Sequence, residues 1–287
     1  MMPLLRSLRP VQWVKNLIVF AGLIFSRHFD RSDDVLRSLG VFGVFCALAS
    51  AIYLFNDIRD RESDRAHPYK KTRPIAAGEL SVGVAATASL ILFAVGLTAA
   101  CLLGLSVFIT VAVYVLLNIA YSMGLKRVAL VDVMIVALGF VLRAVGGAEV
   151  IDVEISPWLV VCTLLLALFL GFGKRRWELV ALGEDAPSHR AALAGYTTHL
   201  LDQLIAVTTA STVVAYALYT LAPETQAKFG TDQLIWTLPF VLFGVFRYLW
   251  LIHGAQEGGN PTSALLRDWP IVVTAVLWLV TVIIIIA

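Results

Sequence analysis

The 287-residue sequence predicts an all-α, polytopic membrane bundle of about nine transmembrane helices, N-terminus cytoplasmic and C-terminus outside. Three observations carry that prediction. The chain is 59% hydrophobic and 15% charged, beyond the range of an ordinary soluble domain, and its mean hydropathy is +0.85. Its apolar residues form continuous runs of roughly 20 residues, enough to cross a bilayer as helix, rather than the alternating segments of a barrel strand. Its basic residues are strongly biased to one side.

Taken in order, the apolar runs place spans near residues 11–29, 37–56, 80–99, 104–122, 128–148, 156–173, 200–221, 233–252 and 269–286. The opening Met-Met-Pro-Leu-Leu-Arg-Ser-Leu-Arg-Pro lacks the features of a cleaved signal peptide, so the first span is expected to be retained. With the N-terminus inside, the inner segments hold 17 of the 22 Lys and Arg residues, which fixes the expected orientation. Cys46, Cys101 and Cys162 sit singly in apolar spans, without C-x-x-C spacing, and read as small hydrophobes. A net charge of +2 and the absence of a basic stripe, a low-complexity segment or a soluble insert leave one helical bundle over residues 1–287, with a bilayer and no nucleic acid as partner. A homo-oligomer is compatible with such a chain. His189 reads as a surface or loop residue.

Directly after the second span lies Asn56-Asp-Ile-Arg-Asp-Arg-Glu-Ser-Asp-Arg65, with four acids and three arginines. If the helix continues, about 100° per residue gathers Asn56, Asp57, Asp60 and Asp64 on one face. Such carboxylates repel unless a cation lies between them, and hard oxygens of this kind suit Mg²⁺ completed by substrate phosphate. A solvated helix end paired with Arg59, Arg61 and Arg65 explains the spacing equally well. Pro68 and Pro74 are expected to stop the helix, while Lys70, Lys71 and Arg73 bring cations beside the acidic face.

Asn56-Asp57-x-x-Asp60-x-x-x-Asp64, followed by His67-Pro68 and Arg73-Pro74-Ile75-Ala76-Ala77-Gly78, resembles the first Asp-rich signature of the UbiA superfamily of intramembrane prenyltransferases. The resemblance implies an all-helical fold over nearly the whole chain. It also implies that Asp57, Asp60 and Asp64 hold Mg²⁺ on a diphosphate, with Asn56 as a polar contact. Members of that superfamily usually carry a second acidic motif after a later span. Here the corresponding place, expected in the loop after the sixth span, reads Gly171-Phe-Gly-Lys174-Arg175-Arg176-Trp-Glu178-Leu179. Lysine and arginine cannot ligate a cation, but they bind a bare phosphate well.

One branch of the superfamily fits that swap, the decaprenyl-phosphate phosphoribosyltransferases, which join a polyprenyl phosphate to phosphoribosyl pyrophosphate. The chain is similar to that branch at Arg9-Pro10-x-Gln12-Trp13-x-Lys15-Asn16, Gly124-Leu125-Lys126, Leu142-Arg143-Ala144, Gly173-Lys174-Arg175-x-x-Glu178-Leu179 and Tyr196-Thr197. The resemblance implies a phosphoribosyl transfer whose substrate-binding candidates are Lys15, Asn16, Asn56, Lys71, Arg73, Tyr121, Lys126, Arg143, Lys174, Arg175, Glu178 and Tyr196. An interfacial anchor of Trp13 and Lys15 explains Lys15 and Asn16 about as well. Arg143, costly within a span, must face a cavity or a partner helix, and Asp132 lies three turns earlier on the same face, too far for contact. An aromatic prenyltransferase and a non-catalytic transporter remain as alternatives. The first would need acids where Lys174 to Arg176 stand, and the second would need inverted repeats.

Overall fold

The computed structural model describes residues 2–67, 70–186, 190–254 and 267–287; Pro68 and His189 lie outside them. Among the described residues there is no strand, and nine helical segments are long and apolar enough to cross a membrane: Met2–Phe25, Ser32–Arg59, Val82–Leu103, Leu105–Met123, Val131–Glu149, Pro157–Leu182, Thr198–Leu221, Gln233–Gly254 and Trp269–Ile286. The chain is a multi-pass, all-α membrane protein.

Two spans differ most from the sequence expectation. The first starts at Met2 and is not uniform. It runs as α1 (Met2–Leu8), a 3-10 stretch over Pro10–Phe20 and α2 (Ala21–Phe25), with Arg9 between the first two in the left-handed region, φ 54 and ψ 59. The sixth continues to Leu182, so Lys174 to Leu179 are helical and not in a loop. Lys, Arg, Glu and Leu are good helix formers, and nothing breaks the run until Gly183, whose φ of 55 favours glycine.

The residues divide into two compact units. The first comprises residues 1–126 and 142–155. Its centre is α3 (Ser32–Arg59), whose Val41, Phe45, Leu48 and Ile52 pack with Val19, with Val107, Val111 and Tyr114 of α6 (Leu105–Met123), and with Val150 and Ile151. Lipid is as apolar as leucine, so association in a bilayer depends on close packing rather than on exclusion from water. Glycine supplies it here: a Cβ on Gly147 would fall 1.9 Å from the Val19 carbonyl oxygen, and one on Gly22 2.9 Å from the Ala148 Cα. A smaller core of Leu54, Ile75, Leu80 and Ala85 pins the loop before α5 (Val82–Leu103), and thereby fixes the backbone around Arg73. Leu90, Leu102 and Leu116 are exposed, as a lipid-facing surface requires.

The second unit comprises residues 127–141 and 156–287. The helix Val131–Glu149, α7, contributes its first half here and its second half to the other unit. Val133 and Ala137 pack with Phe169 and Phe172 of α8 (Pro157–Leu182), Leu201 and Ile205 of α9 (Thr198–Leu221), and Tyr248 of the helix Leu238–Gly254. Phe169 and Tyr248 meet edge to face with centroids 5.2 Å apart. Thr197 caps α9 by accepting from the Leu200 amide at 3.1 Å. Asp268 does the same for the last span through the Ile271 amide, also at 3.1 Å.

Candidate active site

The acidic face forms at a helix break. The Asp60 backbone, φ −91 and ψ 7, ends α3, and α4 (Arg61–Ala66) resumes at the next residue, so Asp57, Asp60 and Asp64 belong to two short-coupled helices. Asp57 and Asp64 are buried, with 2% exposure each. A buried carboxylate needs partners, and each acid has a cation. Arg9 Nη2 donates to both Asp57 oxygens at 2.6 and 2.8 Å. Arg73 Nη1 donates to Asp57 Oδ1 at 3.0 Å and to Asp64 Oδ2 at 2.7 Å. Lys126 Nζ donates to both Asp60 oxygens at 2.6 Å. Burial pushes the Asp64 carboxyl upward, and the charge and hydrogen bond of Arg73 oppose that shift. Arg59 points away and donates to the Met123 carbonyl, while Arg65 pairs with Glu62, so the arginines inside the motif are not the partners of its aspartates.

These donors suit a hard divalent cation. Three carboxylates are joined by Asn56 Oδ1, which is buried and accepts no hydrogen bond. As the side chains stand, with every carboxylate on a lysine or arginine, no three His, Cys, Asp or Glu among the described residues are grouped to hold a metal ion.

Deeper in the same unit, Arg143 and Asn16 come together as the sequence suggested for a buried arginine. Arg143 Nε donates to Asn16 Oδ1 at 2.6 Å, its Nη2 to the Tyr114 hydroxyl at 2.8 Å, and its guanidinium lies 4.7 Å from the Tyr114 ring centroid. Asn16 Nδ2 in turn donates to Cys46 Sγ at 3.2 Å. Lys15 is half-buried in the 3-10 stretch, Tyr121 is half-buried in the last turn of α6, and Lys71 is exposed in the turn Lys70–Thr72.

The second unit gathers Lys174, Arg175, Glu178 and Tyr196. Glu178 is the hub: Arg175 Nη1 reaches its Oε2 at 2.8 Å, Arg190 Nη1 the same oxygen at 3.0 Å, and Lys174 Nζ lies 3.9 Å from Oε1. Arg175 Nε also donates to Asp132 Oδ2, whose other oxygen accepts from the Tyr196 hydroxyl at 2.8 Å. Tyr196 accepts from the Leu130 amide at 2.6 Å, and burial pushes its hydroxyl far above the usual range, so it remains a donor. Arg175 is enclosed, its side chain 4% exposed, whereas Lys174 is 36% exposed.

Sequence reasoning did not single out Arg9, Asp132 or Arg190 as site residues. Arg9 stands in the Arg9-Pro10 motif, Asp132 on the helical face of Arg143, and Arg190 among the basic residues of the inner segments, and none of these places marks a carboxylate partner. No spacing rule joins residues so far apart.

A model of the UbiA prenyltransferase family matches residues 17–177. The chain is 32% identical over 290 residues to a decaprenyl-phosphate phosphoribosyltransferase of Mycolicibacterium smegmatis, covering 97% of this chain and 91% of that one. It is 33% identical over 288 residues to a decaprenyl-phosphate phosphoribosyltransferase of Corynebacterium glutamicum, covering 96% and 84%. Its fold is similar to the solved structure of a UbiA homolog from Archaeoglobus fulgidus bound to GPP and Mg²⁺, with a TM-score of 0.75, 20% identity and 99% of each chain covered.

Proposed function

The chain belongs to the UbiA prenyltransferase family, and from that premise we propose that it moves the 5-phosphoribosyl group of phosphoribosyl pyrophosphate onto a polyprenyl phosphate, decaprenyl phosphate in its relatives, releasing pyrophosphate. The observation that carries this choice of reaction is identity of 32–33% with two decaprenyl-phosphate phosphoribosyltransferases across 96–97% of the chain. The side chains support it: one unit offers a carboxylate face and the other a carboxylate ringed by cations.

In the proposed reaction the ribose C1–O bond breaks with its electron pair leaving on pyrophosphate, and a lipid phosphate oxygen forms the new bond to C1. The attacking oxygen is already anionic, so no general base is required, and the enzyme's task is to position and to neutralise. Mg²⁺ on Asp57, Asp60 and Asp64, with Asn56 beside them, would offset the charge growing on the departing pyrophosphate. Arg9, Arg73 and Lys126 hold these carboxylates in their present places and supply donors for phosphate oxygens. Lys174 and Arg190, spaced by Glu178, would take a phosphate without metal; Lys15, in the first unit, is a separate candidate for phosphate contact. Arg175 has Nε and Nη1 committed to Asp132 and Glu178, so it acts chiefly by holding Glu178. Arg143 and Asn16, with Tyr114, brace the 3-10 stretch of the first span, and Tyr196 braces Asp132. Lys71 and Tyr121 are further candidates for phosphate contact within the first unit.

The positive-inside bias supports a cytoplasmic N-terminus and a site at the cytoplasmic face of the cell membrane, where phosphoribosyl pyrophosphate is available. The product would enter lipid-linked arabinose donor and cell-wall synthesis. The test is purified protein with Mg²⁺, phosphoribosyl pyrophosphate and decaprenyl phosphate, scored for pyrophosphate and lipid-linked phosphoribose. A geranyl diphosphate arm with an aromatic acceptor runs in parallel. Turnover in the second arm alone would replace this function by a prenyl transfer.

A further inference from the structure

Arg9 differs from its neighbours in the carboxylate cluster. Its backbone lies in the left-handed region immediately before Pro10, a conformation disfavoured for any residue with a Cβ. The joint is held from both sides. Trp13 Nε1 donates to Ser50 Oγ at 3.0 Å, Ser50 Oγ lies 3.0 Å from the Leu8 carbonyl oxygen, and the Arg9 guanidinium sits 4.8 Å from the Tyr53 ring centroid. Arg73, by contrast, springs from a loop whose Ile75 is fully packed and bridges two aspartates.

Charge makes that difference matter. Asp57, Asp60 and Asp64 stand against Arg9, Arg73 and Lys126, three charges of each sign paired at 2.6 to 3.0 Å, and the charge of Lys70 also acts on Asp64, so the cluster has no negative charge to spare. A divalent cation arriving alone would add two positive charges that no carboxylate is left to balance, at close range in a poorly solvated site. The opposition falls if one protein cation swings away, and most easily if that cation leaves a strained joint and finds an incoming phosphate.

We infer that Arg9 is an internal stand-in for the divalent cation on Asp57: guanidinium and metal compete for the same two carboxylate oxygens, and release of Arg9 is coupled to metal entry. This rests on the metal role given to Asp57 above. It predicts a metal site that is weak alone and strengthens when the displaced guanidinium has an anion to hold.

The experiment uses Mn²⁺ as the probe, titrated into the full-length protein in nanodiscs without substrate, with free Mn²⁺ read by electron paramagnetic resonance. Arg9→Gln removes the competitor, Arg9→Lys keeps the charge, and Arg9→Gly removes the guanidinium while tolerating φ 54. Asp57→Asn identifies the site. The expected result is Mn²⁺ binding about tenfold tighter in Arg9→Gln and Arg9→Gly than in the parent, as loss of one charge-assisted hydrogen-bonded competitor implies. Arg9→Lys should stay near the parent. Equal or weaker binding in both charge-removing variants would overturn the competition while leaving the metal role of Asp57 in place. No binding sensitive to Asp57→Asn in any variant would remove both.

Discussion

Asp132→Asn should be the costliest single change in the second unit. Asp132 is fully buried, and its two oxygens are divided between Arg175 Nε and the Tyr196 hydroxyl. The side chain of Arg175 is 4% exposed, so neutralising its partner leaves a guanidinium that water cannot reach. Glu178 would still hold Nη1, which limits the loss but does not replace the Nε bond. Breaking a buried pair by removing one member costs about 3–5 kcal/mol. For comparison, Arg176 pairs with Asp202, whose side chain is 41% exposed, and Asp202→Asn should cost about 0–1 kcal/mol. Chemical unfolding of both variants in the same detergent, read by intrinsic tryptophan fluorescence or by circular dichroism, measures the difference directly. A loss for Asp132→Asn no greater than that for Asp202→Asn would refute the idea that the buried network, rather than apolar packing, fixes the cationic end of α8.

Three further outcomes are expected. Asp60→Ala should lower phosphoribosyl transfer about a hundredfold or more, the scale of losing one preorganised electrostatic element; full activity in that variant would remove the metal role of this face. Gly147→Ala should destabilise on the order of 3 kcal/mol, because its Cβ would overlap the Val19 carbonyl. Gly43→Ala, with nothing within 4 Å of the added Cβ, should be neutral or slightly stabilising, and thermal unfolding separates the two. The Asp268 carboxyl is held below its ordinary value by hydrogen bonds from Arg247, so the stability it adds is present above about pH 4 and is lost as pH falls through its depressed folded-state value. The stability gap between the parent and Asp268→Ala should therefore narrow on acidification and stay constant above pH 6.

The spans were legible because a bilayer demands long apolar helices, a constraint that appears directly in composition. Helix ends were less so. Hydropathy stops at Gly173, but α8 runs on to Leu182, since backbone hydrogen bonding continues through Lys, Arg, Glu and Trp as readily as through Leu. The broken first span was hidden for the opposite reason, since the left-handed Arg9 is imposed by contacts to α3 and not by local preference. The Asp57, Asp60 and Asp64 spacing announced a common face, but not its partners, because Arg9 and Lys126 arrive from 48 and 66 residues away. The shared helical face of Asp132 and Arg143 was a true periodicity with no contact behind it. Asp132 bonds Arg175 and Tyr196 in one unit, and Arg143 bonds Asn16 and Tyr114 in the other.

A basic residue near a membrane surface invites two explanations, topology or chemistry, and the structure shows why they do not exclude each other. Arg9, Arg73, Lys126, Arg175, Arg176, Arg190 and Arg247 all belong to the segments expected on the inner side, and all seven lie on carboxylates. Orientation needs only that these charges be present at insertion, before tertiary contacts exist. Once the helices pack, the same charges are free to neutralise buried acids, and a carboxylate at a span end costs far less when its counter-ion is already there. The two units then differ in the sign that dominates. Around Asp57, Asp60 and Asp64 every acid is matched by a protein cation, whereas around Glu178 the cations Lys174, Arg175 and Arg190 outnumber the acids Glu178 and Asp132. An equal count leaves room for a metal only by exchange with a protein cation, while a cationic excess attracts phosphate without one. In the proposed reaction the first arrangement suits a diphosphate carried on a metal, and the second a single phosphate.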